Sequence, residues 1–281
     1  MDTADTTNAI PTVVERTAWQ AELDRLLTRE KAHTREGDAI AAARRRLPMV
    51  EVDARAPLVG ADGPVPLIDA FEGRWQLLAY FHMWHDGKPA EQQCEGCTFF
   101  TGHALELSYL HSRDVTYATF CQGPYDESAR YRDFMGWQMP WYSADDAAES
   151  LLPGRSFGGY ASYLRDGDRV FETYWTTGRG TEAGANSYHL LDLTVYGRQE
   201  TWEDSPDGWP QRYVPDGDEF RLNGRPTAQW SRLAAGRSDD LPTVPRSMAR
   251  QADRTRDVAA SRRPENRIGH SRTCEGALVP P

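Results

Sequence analysis

The segment WQLLAYFHMWHDGKPAEQQCEGCTFF, Trp75–Phe100, decides the fold of this 281-residue chain. Gln76–Trp84 is an apolar, aromatic run of strand length. His85–Ala90 contains aspartate, glycine and proline, which together indicate a loop. A Cys-x-x-Cys pair follows, directly before Thr98–Arg113, whose leucines have helical spacing. The sequence therefore predicts a buried strand, a loop and a helix that begins at the cysteine pair.

The position of the two cysteines, Cys94 and Cys97, favours thiolate chemistry. A helix N-terminus carries unpaired N–H groups and the positive end of the helix dipole, and both stabilise a thiolate. The thiolate is the nucleophilic form of cysteine. A spacing of two residues lets the thiols close a small disulfide, as in dithiol–disulfide exchange. Glu95 lies between them and would raise a neighbouring thiol's pKa, so it must point to solvent or be outweighed by the dipole.

Composition and charge exclude several classes of function. The net charge of −10 argues against a nucleic-acid partner. No apolar run approaches the roughly 20 residues that a membrane span needs. The first ten residues, MDTADTTNAI, lack the basic and apolar regions of a secretory signal. We therefore expect a cytoplasmic protein with no membrane partner, in which a Cys-x-x-Cys pair is catalytic or metal-binding because structural disulfides are rare there.

The N-terminal part predicts one long helix. Residues 1–11 are polar, and we expect them to be disordered. Residues 12–48 form a helical extension, with the helix itself over Thr12–Arg46. Trp19, with Leu23 and the leucines after it, recurs at helical spacing. This apolar stripe could pack on its own domain or on a second subunit, which would make a homodimer, and a packing helix is the preferred interpretation.

The remaining pattern predicts an α/β domain. Residues 49–200 are expected to form it, residues 201–236 to wrap over it, and residues 237–281 to be a disordered tail. Strands are predicted at Met49–Asp53, Asp114–Cys121, Gln138–Tyr142, Ala161–Arg165 and Val170–Trp175, and helices at Asp126–Gly136 and Asn186–Leu193. This order is α/β alternation with an antiparallel hairpin at its end.

Four blocks of sequence carry a family resemblance. They are LLTREKAHTREGDAIAAARRRLPMVEV, LLAYFHMW with the cysteine pair and TFF, RDVTYATF with FMGWQMPWYS, and YLRDGDRVFETYWTTGRG with YHLLDLTVYGRQE. The chain resembles the DUF899 family, described as predicted thioredoxin-like dithiol–disulfide oxidoreductases, over roughly Thr12–Trp209. The resemblance implies a thioredoxin-like fold of the peroxiredoxin-like branch, with a long N-terminal helix and a C-terminal extension. It also implies Cys94 as the attacking cysteine and Cys97 as the resolving cysteine.

Two departures from better-known members of the superfamily bear on the activity. The strand expected to face the cysteine pair, Gly159–Tyr163, has no proline at its start, where thioredoxin has one. The loop Glu91–Cys94 lacks the proline and threonine that peroxiredoxins place before their peroxidatic cysteine. Exchange of a dithiol with a protein or small-molecule disulfide is therefore preferred over a thiol peroxidase.

Other interpretations of the pair stay open. It could be inert, in a thioredoxin-fold module used for binding or assembly. It could hold zinc, with further ligands from His82, His85 or His103, although a structural site usually takes four ligands and no second pair exists. His82 or His85 could instead be the proton partner of the thiolate. For each histidine, a satisfied core or loop position is the preferred interpretation, and no cofactor or metal is expected.

The other candidates have structural interpretations. Cys121 could be a third thiol near the site, but a small buried hydrophobe is preferred. Cys274 falls in the expected tail and receives no role. The aromatic residues near the pair could line a substrate groove, but core packing is preferred. These residues are Trp84, Phe99, Trp137 and Trp141.

Overall fold

A computed structural model describes residues 9–214 and 219–241. Its helices are α1 Arg16–Arg44, α2 Glu95–Thr101, α3 Ser108–His111, α4 Tyr125–Met135, α5 Ala148–Leu151, α6 Asn186–Leu191 and α7 Thr227–Ala234. Its strands are β1 Val50–Val52, β2 Pro57–Gly60, β3 Gly63–Pro66, β4 Gln76–His82, β5 Val115–Cys121, β6 Trp141–Ser143, β7 Gly159–Asp166, β8 Arg169–Thr177, β9 Arg221–Leu222 and β10 Arg225–Pro226.

One mixed sheet organises the structure. Its strand order is β1-β8-β7-β4-β5-β6-β2-β3. Strands β4 and β5 are parallel, from the Gln76–Val115 pair to the His82–Cys121 pair, and β6 continues the parallel part. Strand β7 runs antiparallel to β4, and β8 antiparallel to β7. The elements follow in the order strand, cysteine-bearing helix, parallel strand, helix and antiparallel hairpin. This order makes a thioredoxin-like fold, so the predicted α/β class is confirmed.

The two central strands are buried on both faces, which explains their continuous apolar sequence. Side chains alternate between the two faces of a strand, and the side chains of each face belong to a separate hydrophobic cluster. Phe81 and Phe120 belong to the first cluster. Tyr80 and Cys121, on the opposite face, belong to the second, together with residues of α2 and α4. The second cluster is rich in tyrosine and tryptophan and contains both cysteines of the pair, so it forms the base of the candidate site.

The long helix does not bury its apolar stripe on its own domain, which was one of its two predicted packing surfaces. The helix α1 exists, but none of its residues is buried. Trp19 and Leu26 are 45% and 47% exposed. The apolar stripe ends after about three turns of α1, and most of the remaining positions of the helix are charged residues or alanine. The helix therefore offers the domain few large apolar side chains to bury. The structure holds a single chain, and the homodimer stays a prediction.

The single helix predicted over Thr98–Arg113 is wrong, because two short helices occupy this stretch. The helix α2 ends at Thr101, and α3 starts only at Ser108. Gly102 follows α2 and has low helix propensity. The His103 Nδ1 lies 2.7 Å from the Phe99 carbonyl oxygen, the acceptor that a continuing helix would give to the backbone N–H of residue 103.

Two residues from segments that were expected to be disordered make hydrogen bonds to the body of the domain. Ala9, expected to be disordered, donates its N–H to the Gly208 carbonyl and accepts a hydrogen bond from Tyr196. Arg237, placed in the expected tail, donates to the Phe134 carbonyl at 2.8 Å. Residues 219–241, here called the cover segment, contain β9, β10 and α7 and pack against α2 and α4. The rest of the predicted tail, with Cys274, and residues 1–8 lie outside the described residues. Among the described residues, no helix has the length and apolar character to cross a membrane.

Candidate functional site

The cysteine pair stands at the N-terminus of α2, as predicted. Cys94 is the N-cap residue, and its sulfur accepts a hydrogen bond from the Cys97 N–H at 3.4 Å. The loop before it is fixed by Gln93, which is fully buried. The Gln93 amide nitrogen donates to the carbonyls of His85 at 3.0 Å and Lys88 at 2.9 Å, while its amide oxygen accepts from the His85 N–H. The nucleophile candidate is thus held by helix and loop together.

The two thiols are free and chemically unequal. Cys94 is 8% exposed and Cys97 is 2% exposed. The hydrogen bond with the Cys97 thiol lowers the pKa of Cys94, and the backbone N–H groups of Cys97 and Gly96 add to this, outweighing burial and Glu95. Burial raises the pKa of Cys97 well above its usual range, and the neighbouring Cys94 acts in the same direction. The surroundings therefore favour a thiolate at Cys94 and a protonated thiol at Cys97 behind it.

Two groups face the sulfur of Cys97 from β4 and the residue after it. The Met83 N–H donates to this sulfur at 3.3 Å. The Tyr80 hydroxyl interacts with the same sulfur, and burial raises the pKa of Tyr80 well above its usual range, so the phenol stays protonated. Both groups lower the pKa of the Cys97 thiol against the effect of burial. Sequence reasoning placed Tyr80 in a strand but gave it no role, although it lies on the face of β4 that also carries His82.

Glu95 does not act as an unpaired charge beside the pair. Its carboxylate forms an ion pair with Arg221 of the cover segment at 2.8 Å. The same guanidinium donates to the carbonyls of Glu91 at 2.9 Å and Gln93 at 3.1 Å. Arg221 therefore neutralises the carboxylate that would oppose a Cys94 thiolate and satisfies two loop carbonyls. Sequence reasoning missed this residue, which is 126 to 130 positions away from its partners.

A second residue of the cover segment reaches the same loop from inside. Gln229 is fully buried and donates to the Ala90 carbonyl and the Tyr131 hydroxyl, both at 2.7 Å. The Tyr131 hydroxyl also lies 2.8 Å from the Thr98 hydroxyl, which donates to the Cys94 carbonyl. One chain of hydrogen bonds thus connects the cover segment, α4 and the first turn of α2.

A cavity of about 730 Å³ opens in front of the cysteine pair. Both cysteines line it, with Tyr80 at its base. Its walls combine aromatic side chains with a group of charged ones. The aromatic and apolar lining residues are Met83, Phe100, Phe157, Tyr188, Trp202 and Phe220, and the charged ones are Arg179, Glu182, Glu200 and Glu219. Cys94 thus lies at the edge of a pocket of ligand size.

The structure does not bring the candidate histidines together with the thiols. The His85 Nδ1 lies 3.0 Å from the Gln92 carbonyl, and His103 contacts the Phe99 carbonyl and Ser187. His82 is fully buried among aromatic rings and, within the described residues, neither ring nitrogen has a hydrogen-bond partner. Burial lowers the pKa of His82 to about 3, so it is neutral. No three metal-ligating side chains cluster anywhere in residues 9–214 or 219–241.

The remaining sequence candidates lie in the core. Cys121 is fully buried, and burial raises its pKa to about 12, which fits the preferred interpretation of a small buried hydrophobe. Trp84, Trp137 and Trp141 are buried in the second hydrophobic cluster. Phe99 is half-buried and packs against Phe220, with ring centroids 4.8 Å apart. None of these four aromatic residues lines the cavity.

A family profile matches most of the chain. The family is described as a bacterial protein of unknown function, DUF899, and the match spans residues 8–220. The chain belongs to the DUF899 family. The match ends at Phe220, so most of the cover segment of this DUF899 protein lies beyond it. No curated protein shows significant similarity to the sequence.

Solved structures with some likeness to the DUF899 protein come from Xanthomonas campestris. A cysteine-to-serine mutant of peroxiredoxin Q is 13% identical, with a TM-score of 0.31, over 50% of this chain and 96% of that one. Another peroxiredoxin Q structure is 15% identical, with a TM-score of 0.30, over 49% and 94%. The bacterioferritin comigratory protein, which is described as having alkyl peroxide reduction activity, is 12% identical, with a TM-score of 0.30, over 49% of this chain and 94% of that one.

Proposed function

We propose that this DUF899 protein is a thiol–disulfide oxidoreductase that cycles Cys94 and Cys97 between dithiol and disulfide. The observation that carries the proposal is the inequality of the two thiols. Cys94 lines a cavity with a lowered pKa, and Cys97 lies behind it, buried, with a raised pKa. Exchange needs an accessible thiolate as nucleophile and a second thiol within reach. The inequality of the two thiols sets which one attacks the substrate first and which one attacks second.

The chemistry runs in two displacements. The Cys94 thiolate attacks one sulfur of a substrate disulfide, forms a mixed disulfide with it, and expels the other half as a thiolate that takes up a proton. Cys97 then loses its proton and attacks the Cys94 sulfur, which breaks the mixed disulfide and releases the second half as a thiol. The substrate disulfide gains two electrons and two protons, and the cysteine pair loses them. A thiol reductant, either a protein dithiol or a small thiol, restores the pair.

The residues around Cys97 assist the second displacement. The Met83 N–H and the Tyr80 hydroxyl both point donors at the Cys97 sulfur and stabilise its thiolate in the moment before attack. Tyr80 is suited to donate because burial keeps it protonated. These groups are needed because the Cys97 thiol is otherwise in surroundings that disfavour charge.

A redox titration tests the proposal. The reduced protein is equilibrated with buffers of defined thiol–disulfide ratio, and the state of the pair is read by alkylation and mass spectrometry. We expect a two-electron transition between about −270 and −120 mV, the range of exchange proteins, whereas structural disulfides lie below about −300 mV. The Cys97→Ser variant is the control and should show no intramolecular disulfide. A wild-type pair that stays reduced throughout would refute the proposal and favour a redox-inert module.

A further inference from the structure

The reactive thiol is poorly accessible from the protein surface. Cys94 keeps 8% of its surface exposed, much less than a nucleophile at an open surface would. The cover segment closes one side of it. Phe220 lies over Gly96, between the two cysteines, where a Cβ added to this glycine would be in ordinary contact with the phenyl ring at 3.6 Å. Arg221 lies beside it, bonded to Glu95 and to the loop that precedes Cys94.

This cover limits the size of a substrate. In exchange, the attacking thiolate must approach one sulfur of the disulfide along the axis of the bond that breaks. A disulfide of a folded protein is held by backbone on both sides, and Phe220 and Arg221 narrow the space for that backbone on one side of the cysteine pair. A small disulfide can instead enter the cavity of about 730 Å³ and present a sulfur to Cys94 from within.

The charge of the cavity restricts the substrate further. One cation, Arg179, stands against three carboxylates, Glu182, Glu200 and Glu219, so the lining carries a net charge of −2. Arg179 is already engaged, because it pairs with Glu182 at 2.8 Å and lies over the Trp202 ring at 4.2 Å.

The ion pairs that Arg198 makes behind the wall do not change this balance. Arg198 pairs with Glu182 at 3.0 Å and with Asp192 at 2.8 Å, so it adds one cation and one further carboxylate. The net charge remains −2. A substrate carboxylate would therefore meet repulsion in the cavity and no unengaged cation among the lining residues, while an ammonium group would meet attraction.

We infer that the substrate of the cysteine pair is a low-molecular-weight disulfide that is uncharged or cationic, and not the disulfide of a folded protein or an anionic disulfide. The inference rests on the proposed exchange activity and names the substrate class for that same site. The aromatic walls, with Tyr188, Phe100 and Phe220, favour apolar substituents near the sulfurs.

The experiment compares four disulfides in a single turnover of the pre-reduced full chain. They are cystamine, a dication; bis(2-hydroxyethyl) disulfide, which is neutral; dithiodiglycolate, a dianion of similar size; and insulin, a protein disulfide. Loss of the Cys94 and Cys97 thiols is followed by quenching and alkylation. Each rate is divided by the rate of dithiothreitol with the same disulfide, which removes differences in intrinsic reactivity. Cys94→Ser gives the background.

The expected order is cystamine, then the neutral disulfide, then the dianion. At low ionic strength the normalised rate for the dication should exceed that for the dianion by at least about tenfold, and added salt should reduce the ratio. Insulin should react more slowly than the neutral disulfide, again by at least about tenfold, because the cover segment excludes it. If insulin matched the neutral disulfide, or the dianion matched the dication, the inference would be overturned and the exchange activity would stand. If no disulfide oxidised the pair above background, both would fail.

A matched variant separates charge from shape. Glu200→Gln keeps the size of the side chain and its ability to accept from the Trp202 indole, but removes one negative charge from the cavity. The ratio of dication to dianion rates should fall in this variant by about threefold to tenfold. A purely structural role of Glu200 would slow all substrates by the same factor and leave the ratio unchanged, which would contradict the charge argument.

Discussion

His82 should make the protein lose stability as the pH falls through the mildly acidic range. The ring is fully buried without a hydrogen-bond partner among the described residues, and burial lowers its pKa from 6.5 to about 3. Below pH 6.5 the unfolded chain therefore binds a proton that the folded chain does not bind. Linkage turns this difference into a loss of the free energy of unfolding that begins near pH 6.5 and is complete near pH 3.

The size of this effect follows from the two pKa values. Relative to pH 7.5, His82 alone should cost about 1.4 kcal/mol at pH 5.5 and about 2 kcal/mol at pH 5.0. The measurement is urea unfolding followed by tryptophan fluorescence at these three pH values, all above the range in which most carboxylates titrate. The His82→Leu variant replaces the ring with an apolar side chain of similar volume and should remove this part of the pH dependence.

A matched control uses an exposed histidine. His189 lies on α6 and faces solvent, so His189→Leu should keep the full wild-type pH dependence. The reasoning would be refuted if wild type were equally stable at pH 7.5 and pH 5.0. It would also be refuted if His82→Leu and wild type lost the same free energy of unfolding.

Three further predictions concern the cover segment and α1. Arg221→Ala should raise the pKa of Cys94, measured as the pH profile of its alkylation, because Glu95 loses its ion pair; adding Glu95→Gln should reverse the rise, and an unchanged profile in Arg221→Ala would contradict this explanation. Gln229→Ala should lower the free energy of unfolding by roughly 2–3 kcal/mol, because it leaves the buried Ala90 carbonyl without its donor. The control Gln20→Ala, at an exposed glutamine of α1, should leave the free energy of unfolding almost unchanged. Trp19→Ala should change stability by less than about 0.5 kcal/mol, and a loss above about 1 kcal/mol that grows with protein concentration would show that the stripe on α1 is covered by another chain.

The parts of the fold that sequence reasoning found are those with a local cause. The run Gln76–Trp84 predicts a buried strand because its residues are apolar on both faces, and the strand extends over Gln76–His82. Cys94 was placed at a helix start from the loop before it and the apolar spacing after it, and it is the N-cap residue. Strand alternation also puts Tyr80 and His82 on one face of β4. Which of the two contacts the Cys97 thiol depends on how α2 and α4 pack on this face, and the sequence pattern does not give that packing.

The parts that failed depend on partners far along the chain. The stripe on α1 has the spacing of a packing helix, but spacing does not say whether a surface exists to receive it. The break after α2 depends on a histidine ring that competes for a helix carbonyl, which no periodicity encodes. Arg221 and Gln229 donate hydrogen bonds to loop carbonyls that lie more than 120 residues away in the sequence. Nothing in the sequence around an arginine or a glutamine indicates so distant an acceptor.

The end of the family match divides the residues around the cysteine pair into two groups. Cys94, Cys97 and Tyr80, which are proposed to act in the displacement, lie inside the matched range 8–220 together with the lining of the cavity, whereas Arg221 and Gln229, which bond to the loop before Cys94, lie just outside it. The residues that line the cavity therefore belong to the matched range, and only the outer support of the cysteine loop lies beyond it. A protein trimmed at residue 220 would keep both cysteines and the cavity lining, but the Glu95 carboxylate would lose its ion-pair partner and the buried Ala90 carbonyl would lose its donor.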